Sequence, residues 1–225
     1  MRIHKSIPND EGRGVKRGID VILVLFISPL LVALVCLVGL VVLLIDGKPV
    51  FFRQIRSGRA GEPFRVVKFR TLRSGHHDPE DPQTLVTRTG RFLRRWGLDE
   101  IPQMVNVLRG EMSLVGPRPT LPEQVSRYGP FERQRLLVRP GITGWAQIQG
   151  RNALSWPERI QLDVWYVDHQ SLWLDLCILI RTPYSLLTSR GVYGADGINP
   201  GFHPTPGTTA SMNSIAISPA VDESP

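Results

Sequence analysis

The hydrophobic pattern of this chain is dominated by one long apolar run near its start. Residues 21–45 contain no charged side chain, and most of them are Val, Leu or Ile. Ser28 and Pro29 lie near the first third of the run. Pro29 cannot donate a hydrogen bond to the helical ladder, and the Ser28 hydroxyl can bond back to the carbonyl of Val24, so both favour a bend. The pattern predicts a membrane helix over residues 16–46 that is broken at Ser28 and Pro29.

Basic residues flank this run on both sides. Lys16 and Arg17 precede it, and Lys48, Arg53 and Arg56 begin a basic series that follows it. A single span should be basic mainly on its cytoplasmic flank, whereas here both flanks favour the cytoplasmic side. The two arms of a broken helix would rise roughly 18 Å and roughly 25 Å, against a hydrocarbon core of about 30 Å. A re-entrant hairpin and an ordinary, slightly kinked span both remain open on this pattern alone.

The remaining pattern predicts an α+β fold, with a mostly helical small domain and short strands. Short Val- and Phe-rich segments indicate strands, and apolar residues spaced three or four apart indicate helices. The expected strands are 50–52 and 64–67, the expected helices are 88–96, one that begins at Asp99, 122–137, 155–167 and 172–187, and Gly/Pro loops are expected at 115–120 and 140–150.

The segment 172–187 is unusually apolar for a helix of a small domain, and it carries Trp173 and Tyr184. It fits an interfacial amphipathic helix on the membrane surface, and it fits a core helix equally well. The expected organisation is a loose polar segment at 1–15, the membrane helix at 16–46, a cytosolic-face domain with interfacial helices at 47–194, and a Pro/Gly/Ser-rich tail at 195–225.

Composition and charge limit the classes of partner that this chain is expected to bind. The chain has 225 residues and a formal net charge of +7. A basic protein with a membrane helix most simply meets anionic lipid or a phosphorylated substrate. The sequence lacks a Cys/His finger, an aromatic-basic stripe and a basic heptad, so nucleic acid is not an expected partner. Cys36 and Cys177 are far apart, which argues against a disulfide framework or a thiolate metal site.

The strongest candidate for chemistry is the adjacent carboxylate pair Asp99 and Glu100. An Asp at a helix N-terminus is expected to stay ionised, because backbone N–H groups and the helix dipole favour the anion. An ionised carboxylate can attack phosphorus, and a neighbouring Glu can hold Mg²⁺ together with substrate phosphates. The alternative on these residues alone is an ordinary helix cap.

Two loops could supply positive charge or backbone N–H groups to such a site. Pro117 and Pro119 fix the backbone around Arg118, which suits bidentate recognition of phosphate; a rigid turn with a surface ion pair is the alternative. The Gly-punctuated stretch 139–152 could meet an anion through its backbone amides. Lys68 follows an expected strand and could add a further cation.

Seven stretches in a fixed order carry a family resemblance. They are 16–20 (KRGID), 28–29 (SP), 68–71 (KFRT), 98–103 (LDEIPQ), 106–119 (NVLRGEMSLVGPRP), 139–152 (RPGITGWAQIQGRN) and 162–167 (LDVWYV). Together they resemble the bacterial initiating sugar transferases, which are monotopic phosphoglycosyl transferases or polyprenyl-phosphate hexose-1-phosphate transferases. The likeness covers about residues 14–194.

The resemblance implies a reaction and a set of residue roles. The enzyme would use a UDP-sugar, undecaprenyl phosphate and Mg²⁺. Asp99 would attack the β-phosphorus of the UDP-sugar and expel UMP, the lipid phosphate would then take the phospho-sugar from Asp99, and Glu100 would bind Mg²⁺. The residues implied at the substrate site are Lys68, Pro117, Arg118, Gln147 and Arg151.

The resemblance also implies a location and a substrate class. It favours a re-entrant helix, broken at Ser28 and Pro29, in the bacterial inner (cytoplasmic) membrane, with the active site on the cytoplasmic face. The chain looks most like the short members that transfer phospho-diacetylbacillosamine, so a UDP-N-acetylated amino sugar is expected, with UDP-glucose or UDP-galactose as the alternative. A homodimer is left open. The competing hypotheses are a non-catalytic scaffold that binds anionic lipid, and a transferase without a covalent step.

Overall fold

The computed structural model describes residues 10–73, 85–150 and 153–187. Within these ranges the fold is α+β, as predicted. The elements are α1 (Asp10–Ile45), β1 (Phe51–Ser57), β2 (Pro63–Phe69), α2 (Arg88–Trp96), α3 (Met104–Arg109), β3 (Ser113–Val115), α4 (Pro122–Val125), β4 (Gly141–Thr143), α5 (Trp145–Gln149), α6 (Trp156–His169) and α7 (Leu172–Leu187). Short 3₁₀ turns cover Arg59–Gly61, Leu98–Gln103 and Glu132–Leu137.

The apolar run forms α1, which continues through Ser28 and Pro29 without an interruption. The prediction that the helix is broken at this pair is therefore wrong. The Ser28 hydroxyl donates to the carbonyl of Leu25 at 2.8 Å, not to that of Val24. By length and composition Gly12–Ile45 could cross a membrane, and it contains a stretch of mean hydropathy 3.2.

The first part of α1 docks on the small domain. Lys16 forms an ion pair with Asp175 of α7 at 2.5 Å. Arg17 donates to the carbonyl of Leu108, at the end of α3, at 2.9 Å. Val24 is buried in the main hydrophobic core. These contacts fix the first helical arm against α3 and α7.

The last part of α1 docks on the same domain at another place. Val42 is fully buried in a cluster with Phe69 of β2 and Leu93 of α2. Arg70 donates to the carbonyl of Asp46 at 2.5 Å. Both ends of the membrane helix are therefore tied to one folded unit.

The middle of α1 is exposed between these two docked arms. Phe26 is 82% exposed and Leu30 is 72% exposed. Exposed apolar side chains of this size on a contiguous surface mark a membrane or partner contact. The middle of α1 is the part of the helix that the domain does not cover.

Strands β1 and β2 form the predicted hairpin, and both are longer than expected. They pair antiparallel, with Phe52 opposite Lys68 and Arg56 opposite Phe64. Opposite residues share a face of the sheet, as do residues two and four apart along a strand. The pairing therefore places Arg56 and Lys68 on the same face.

The expected loop at 140–150 is partly regular structure. β4 pairs in parallel with β3, with Ser113 opposite Gly141 and Val115 opposite Thr143, and α5 follows directly. The strands are only three residues long, too short for a clear alternating pattern, which is why the sequence suggested a loop.

The helix predicted at 122–137 is two short pieces, α4 and the 3₁₀ turn Glu132–Leu137. Gly129 and Pro130 lie between them, and Pro130 cannot continue a helical ladder. The helices predicted at 88–96 and 155–167 are confirmed as α2 and α6. Ser155 caps α6 and forms a capping box with Glu158.

Helix α7 has the predicted bounds and two different faces. Asp175 and Ile178 are buried against the domain, whereas Trp173 is 73% exposed and Tyr184 is 70% exposed. One face thus serves the core, and a membrane contact of the other face stays a prediction. The polar segment predicted as loose at 1–15 is helical from Asp10 onward. Residues 1–9 and the predicted tail at 195–225 lie outside the described residues.

Candidate active site

The carboxylate pair lies on a tight turn between α2 and α3. Gly97 ends α2 with a left-handed φ of 66°. The 3₁₀ turn Leu98–Gln103 follows, and the α-helical geometry resumes only at Met104. The sequence suggested that Asp99 is the N-cap of an α-helix, and this prediction is wrong.

Glu100 is held between two cations from other parts of the chain. Its Oε1 accepts from Lys68 Nζ of β2 at 2.6 Å and from Arg118 Nη2 at 2.5 Å. Its Oε2 accepts from Arg118 Nη1 at 3.2 Å. The Glu100 side chain is 15% exposed and that of Arg118 is 48% exposed. Glu100 is thus a mostly enclosed anion beneath a guanidinium that still faces outward.

These contacts set the charge states of the cluster. Burial alone would raise the pKa of Glu100, but the charges and hydrogen bonds of Arg118 and Lys68 outweigh it and hold that pKa well below its usual range. Burial lowers the pKa of Lys68, and the nearby Glu100 opposes this effect. Glu100 is consequently an ionised, fixed counter-charge rather than a group that exchanges protons near neutral pH.

Asp99 differs from Glu100 in its hydrogen bonding and in the direction of its pKa shift. Within the described residues its carboxylate accepts no hydrogen bond, so its oxygens are open to a ligand. Burial raises the pKa of Asp99, Glu100 raises it further, and Lys68, Arg118 and Arg94 oppose the rise. Burial thus raises the pKa of Asp99 where helix amides were expected to favour its anion, and its ionisation at neutral pH stays a prediction. A poorly stabilised carboxylate is more basic and, once ionised, a better nucleophile.

Two cations of this cluster were not singled out in the sequence. Burial and then Arg118 lower the pKa of Arg56 to about 10, so it remains charged at neutral pH. The guanidinium of Arg94 bonds the hydroxyl of Thr71 at 2.8 Å, and its charge acts on Asp99. With Lys68 and Arg118, four cations surround two carboxylates, which leaves positive charge for an incoming diphosphate. The alternation of β1 would have indicated Arg56 only if the β1–β2 register were known.

The backbone of the Arg118 loop is fixed by the neighbouring loop. Gly116 N–H donates to the carbonyl of Thr143, and Gly141 N–H donates to the carbonyl of Pro117, each at 2.9 Å. A Cβ on Gly116 would overlap the carbonyl of Arg139, so only glycine allows this approach. Pro117 is buried in this junction and positions its neighbour.

The backbone of Arg118 also contacts a buried ion pair. Arg135 donates to the carbonyl of Arg118 at 2.9 Å and pairs with Asp163 of α6 at 2.5 Å. Arg135 also donates to the hydroxyl of Tyr128 at 2.7 Å. Because both charges are nearly inaccessible, removal of one partner would leave an uncompensated buried charge. The network therefore fixes the point from which the Arg118 side chain reaches Glu100.

The other predicted residues are not brought into this cluster. Gln147 lies on α5 and donates to the carbonyl of Ile142 at 3.2 Å, within its own loop. Arg151 lies outside the described residues. Ser28 and Pro29 lie in the exposed middle of α1. A substrate role for Gln147 and Arg151 stays a prediction.

The donor set suits a lightly coordinated hard cation. Among the described residues no group of three or more Asp, Glu, His or Cys side chains could hold a metal ion. Mg²⁺ commonly takes one or two carboxylates and fills its remaining positions with water and substrate phosphates. Asp99 is open, and Glu100 Oε2 is the less tightly bonded of its two oxygens. The pair thus fits Mg²⁺ only in the company of a phosphorylated substrate.

Comparison with known proteins shows that this chain is similar to several bacterial sugar transferases. EpsL of Bacillus subtilis (strain 168), named an uncharacterized sugar transferase, is 48% identical over 149 residues, which are 65% of this chain and 74% of the relative. The UDP-glucose:undecaprenyl-phosphate glucose-1-phosphate transferase of Caulobacter vibrioides is 40% identical over 191 residues, 79% of this chain and 72% of the relative.

A third relative is longer. The UDP-N-acetylgalactosamine-undecaprenyl-phosphate N-acetylgalactosaminephosphotransferase of Aeromonas hydrophila is 38% identical over 188 residues, 79% of this chain but 44% of the relative. The chain therefore spans about three quarters of the first two relatives and less than half of the third. The family model described as "Bacterial sugar transferase" matches residues 11–189. Because this model covers most of the chain and two relatives that are at least 40% identical are covered to about three quarters of their length, this chain belongs to the bacterial sugar transferase family.

Proposed function

We propose that this chain transfers a sugar-1-phosphate from a UDP-sugar to undecaprenyl phosphate through a covalent phospho-sugar intermediate on Asp99. One observation carries the proposal: an open carboxylate, Asp99, lies beside a carboxylate, Glu100, that is clamped by Lys68 and Arg118. The named reactions of two relatives agree with the overall transfer. The covalent step rests on the different states of the two carboxylates.

In the first half-reaction an oxygen of the Asp99 carboxylate attacks the β-phosphorus of the UDP-sugar. A new phosphorus–oxygen bond forms to Asp99, and the bond from the β-phosphorus to the bridging oxygen breaks. UMP leaves with that oxygen and its electron pair. Arg118, Arg56 and Lys68, which lie near Glu100, would supply positive charge that stabilises the leaving phosphate.

In the second half-reaction a phosphate oxygen of undecaprenyl phosphate attacks the same phosphorus. The bond to the Asp99 oxygen breaks, which regenerates the carboxylate and releases undecaprenyl-diphosphate-sugar. No proton has to be transferred to balance either step. Mg²⁺ held by Glu100 and the substrate phosphates would neutralise phosphate charge. Glu100 itself keeps Lys68 and Arg118 in place.

The sugar is proposed as a UDP-N-acetylated amino sugar, such as UDP-diacetylbacillosamine. Of the relatives named above, one acts on UDP-N-acetylgalactosamine, which belongs to this class of sugar, and another acts on UDP-glucose. UDP-glucose and UDP-galactose are the alternatives. A panel of UDP-sugars, assayed for UMP release with undecaprenyl phosphate, distinguishes them by kcat/KM.

The membrane arrangement supports an acceptor that is itself a lipid. We infer a re-entrant path for α1 because the ion pair of Lys16 and the bond from Arg70 to Asp46 attach both ends to one domain. A straight helix would separate residues 16 and 46 by about 45 Å, more than the hydrocarbon core of about 30 Å. With a bend, both ends and the active site lie on the same face, which is expected to be the cytoplasmic face of the inner membrane.

A labelling experiment tests this path. Cys36 and Cys177 are first replaced by Ser, and single cysteines are then introduced by Gly14→Cys or Lys48→Cys. Both new cysteines should react with a membrane-impermeant maleimide from the same side of sealed inverted vesicles. A Cβ at Gly14 meets no atom within 4 Å, so the change is sterically free. Reaction of the two cysteines from opposite sides would establish a single span instead.

The covalent step has its own test. With a UDP-sugar and no lipid acceptor, the enzyme should release about one equivalent of UMP, and mass spectrometry should find the phospho-sugar on the peptide that contains Asp99. If UMP is released only when the lipid acceptor is present, and no phospho-sugar is found on Asp99, the result would support a direct transfer between two bound substrates. Absence of UMP release with every UDP-sugar of the panel, in the presence of Mg²⁺ and acceptor, would support the scaffold hypothesis.

The pH dependence should report the ionisation of Asp99. Its pKa is raised, so activity is expected to be present above that pKa and lost as the pH falls through it. Arg94→Gln removes a cation that lowers the pKa, so the acid limb of the kcat/KM profile for UMP release should move to higher pH. Arg95→Gln, an exposed neighbour on α2, should keep the wild-type profile. An unmoved limb in Arg94→Gln would show that another group controls it.

A further inference from the structure

A second cluster of cations surrounds an open pocket beside the start of α1. The cationic residues that line it are Arg13, Lys16, Arg17, Arg59 and Arg139. Lys16 is paired with Asp175 at 2.5 Å. Arg17, Arg59 and Arg139 share the pocket with Asp20, which is its acidic residue among those the structure describes. The formal charge of these four residues is +2, from three arginines and one aspartate.

Two of the arginines are held in place by neutral groups. Arg17 donates to the carbonyl of Leu108 at 2.9 Å, and Arg139 donates to that of Gly110 at 2.8 Å. These carbonyls belong to the end of α3, where a helix leaves acceptors without helical partners. The guanidinium groups are thus positioned without being neutralised by a carboxylate.

The mutual repulsion of these charges is visible at Arg139. Burial lowers the pKa of Arg139, and Arg17, Arg59 and Arg13 lower it further, whereas Asp20 opposes them. A protein that gathers like charges in one place stores unfavourable energy there. A bound anion would remove that repulsion.

An independent observation points to a ligand in the same pocket. Ser113, which lines it, is 1% exposed, and its hydroxyl has no hydrogen-bond partner among the residues that the structure describes. Buried polar groups without a partner are uncommon, and each one calls for an explanation. A phosphate oxygen would accept from this hydroxyl and from the surrounding guanidinium groups.

The height of the pocket relative to α1 indicates the source of the phosphate. Arg17 precedes the apolar run by four residues, which is roughly 6 Å along the helix. This is the level at which lipid phosphates lie when the run is in the hydrocarbon. Ile22 and Phe26, about one helical turn apart at the start of the run, are 67% and 82% exposed and can contact acyl chains.

We propose that Arg13, Arg17, Arg59 and Arg139, together with Ser113, form a binding site for the phosphate of an anionic membrane phospholipid, separate from the transfer site at Asp99. The charge surplus favours an anionic headgroup over a zwitterionic one. Binding at this site would hold the start of α1 at a defined depth. The site does not depend on the proposed reaction, because among the described contacts Arg17, Arg59, Arg139 and Ser113 make no hydrogen bond or ion pair with Asp99 or Glu100.

The test is a titration of the purified full-length chain in an uncharged detergent. Dioctanoyl phosphatidylglycerol should raise the melting temperature in a saturable manner, with an affinity at least about tenfold higher than that of dioctanoyl phosphatidylcholine. Arg59→Gln should weaken the affinity for phosphatidylglycerol about tenfold, because one charge-assisted hydrogen bond is lost. Arg59 is exposed on the β1–β2 turn, so its replacement should leave the fold intact.

The control is Arg53→Gln, which removes the same charge from an exposed position on β1, outside the pocket. It should change the affinity less than twofold. An equal loss in both variants would overturn the proposal, since it would indicate diffuse attraction to charge. Inorganic phosphate that displaced phosphatidylglycerol at equal concentration would also overturn it, because the site would then take a free anion. The readout is binding, so it holds whether or not the chain releases UMP.

Discussion

Replacement of Asp99 by Asn is expected to lower the rate of UMP release at least about a thousandfold, because an amide cannot act as the nucleophile. Asp99 is the open carboxylate of the pair, whereas Glu100 is occupied by Lys68 and Arg118. The measurement is UMP release with saturating UDP-sugar, undecaprenyl phosphate and Mg²⁺, together with mass spectrometry of the peptide that contains residue 99. No phospho-sugar adduct should form.

The same variant should be at least as stable as the wild type, which separates lost chemistry from lost folding. The folded-state pKa of Asp99 is raised above its ordinary value, so its charged form is destabilising at neutral pH. Removal of that charge should therefore leave the melting temperature unchanged or raise it. Asp168→Asn, an exposed carboxylate on α6, is the matched control and should remain active. Turnover of Asp99→Asn within tenfold of the wild type would remove Asp99 from the mechanism.

Replacement of Arg118 by Lys is expected to lower kcat/KM about a hundredfold, although the charge is kept. The guanidinium bonds Glu100 Oε1 at 2.5 Å and Oε2 at 3.2 Å, and the Arg118 side chain remains 48% exposed. An ammonium group cannot make this two-oxygen contact and reach a phosphate in the same position. The loss of bidentate geometry should also leave Glu100 with a higher pKa.

The control for this experiment is Arg127→Lys, an exposed arginine after α4, which should retain wild-type kcat/KM. Melting temperatures of both variants establish that the domain is folded. If Arg118→Lys keeps activity within threefold of the wild type, the planar fork of Arg118 is not required, and charge alone suffices. The Arg118 role in substrate binding would then be assigned to its charge and not to its geometry.

Elements with a strong local signal were predicted correctly. Helices α2, α6 and α7 and the β1–β2 hairpin have apolar spacing or cap residues that act within a few positions of the chain. The prediction failed where the element was short. β3, β4 and α5 are three to five residues long, and their pairing across 28 residues, from Ser113 to Gly141, is a tertiary event.

The carboxylate pair was found from the sequence, but the state of each member was not. The order of Asp99 and Glu100 on the chain suggests two similar anions at a helix start. Their pKa values move in opposite directions because cations 32 and 18 residues away reach Glu100. Arg56 was missed for the same reason, since only the folded chain brings its charge to the pair.

By itself the sequence determined the apolar helix, the α+β class, the family resemblance and the two carboxylates on which the reaction is expected to depend. These follow from composition and from patterns within one turn or one strand, where covalent neighbours decide the outcome. The tertiary structure decided which carboxylate is clamped and which is open, and that both ends of α1 rest on one domain. Charges and hydrogen bonds act over a few ångströms in space regardless of chain separation, so these properties exist only once the chain has folded.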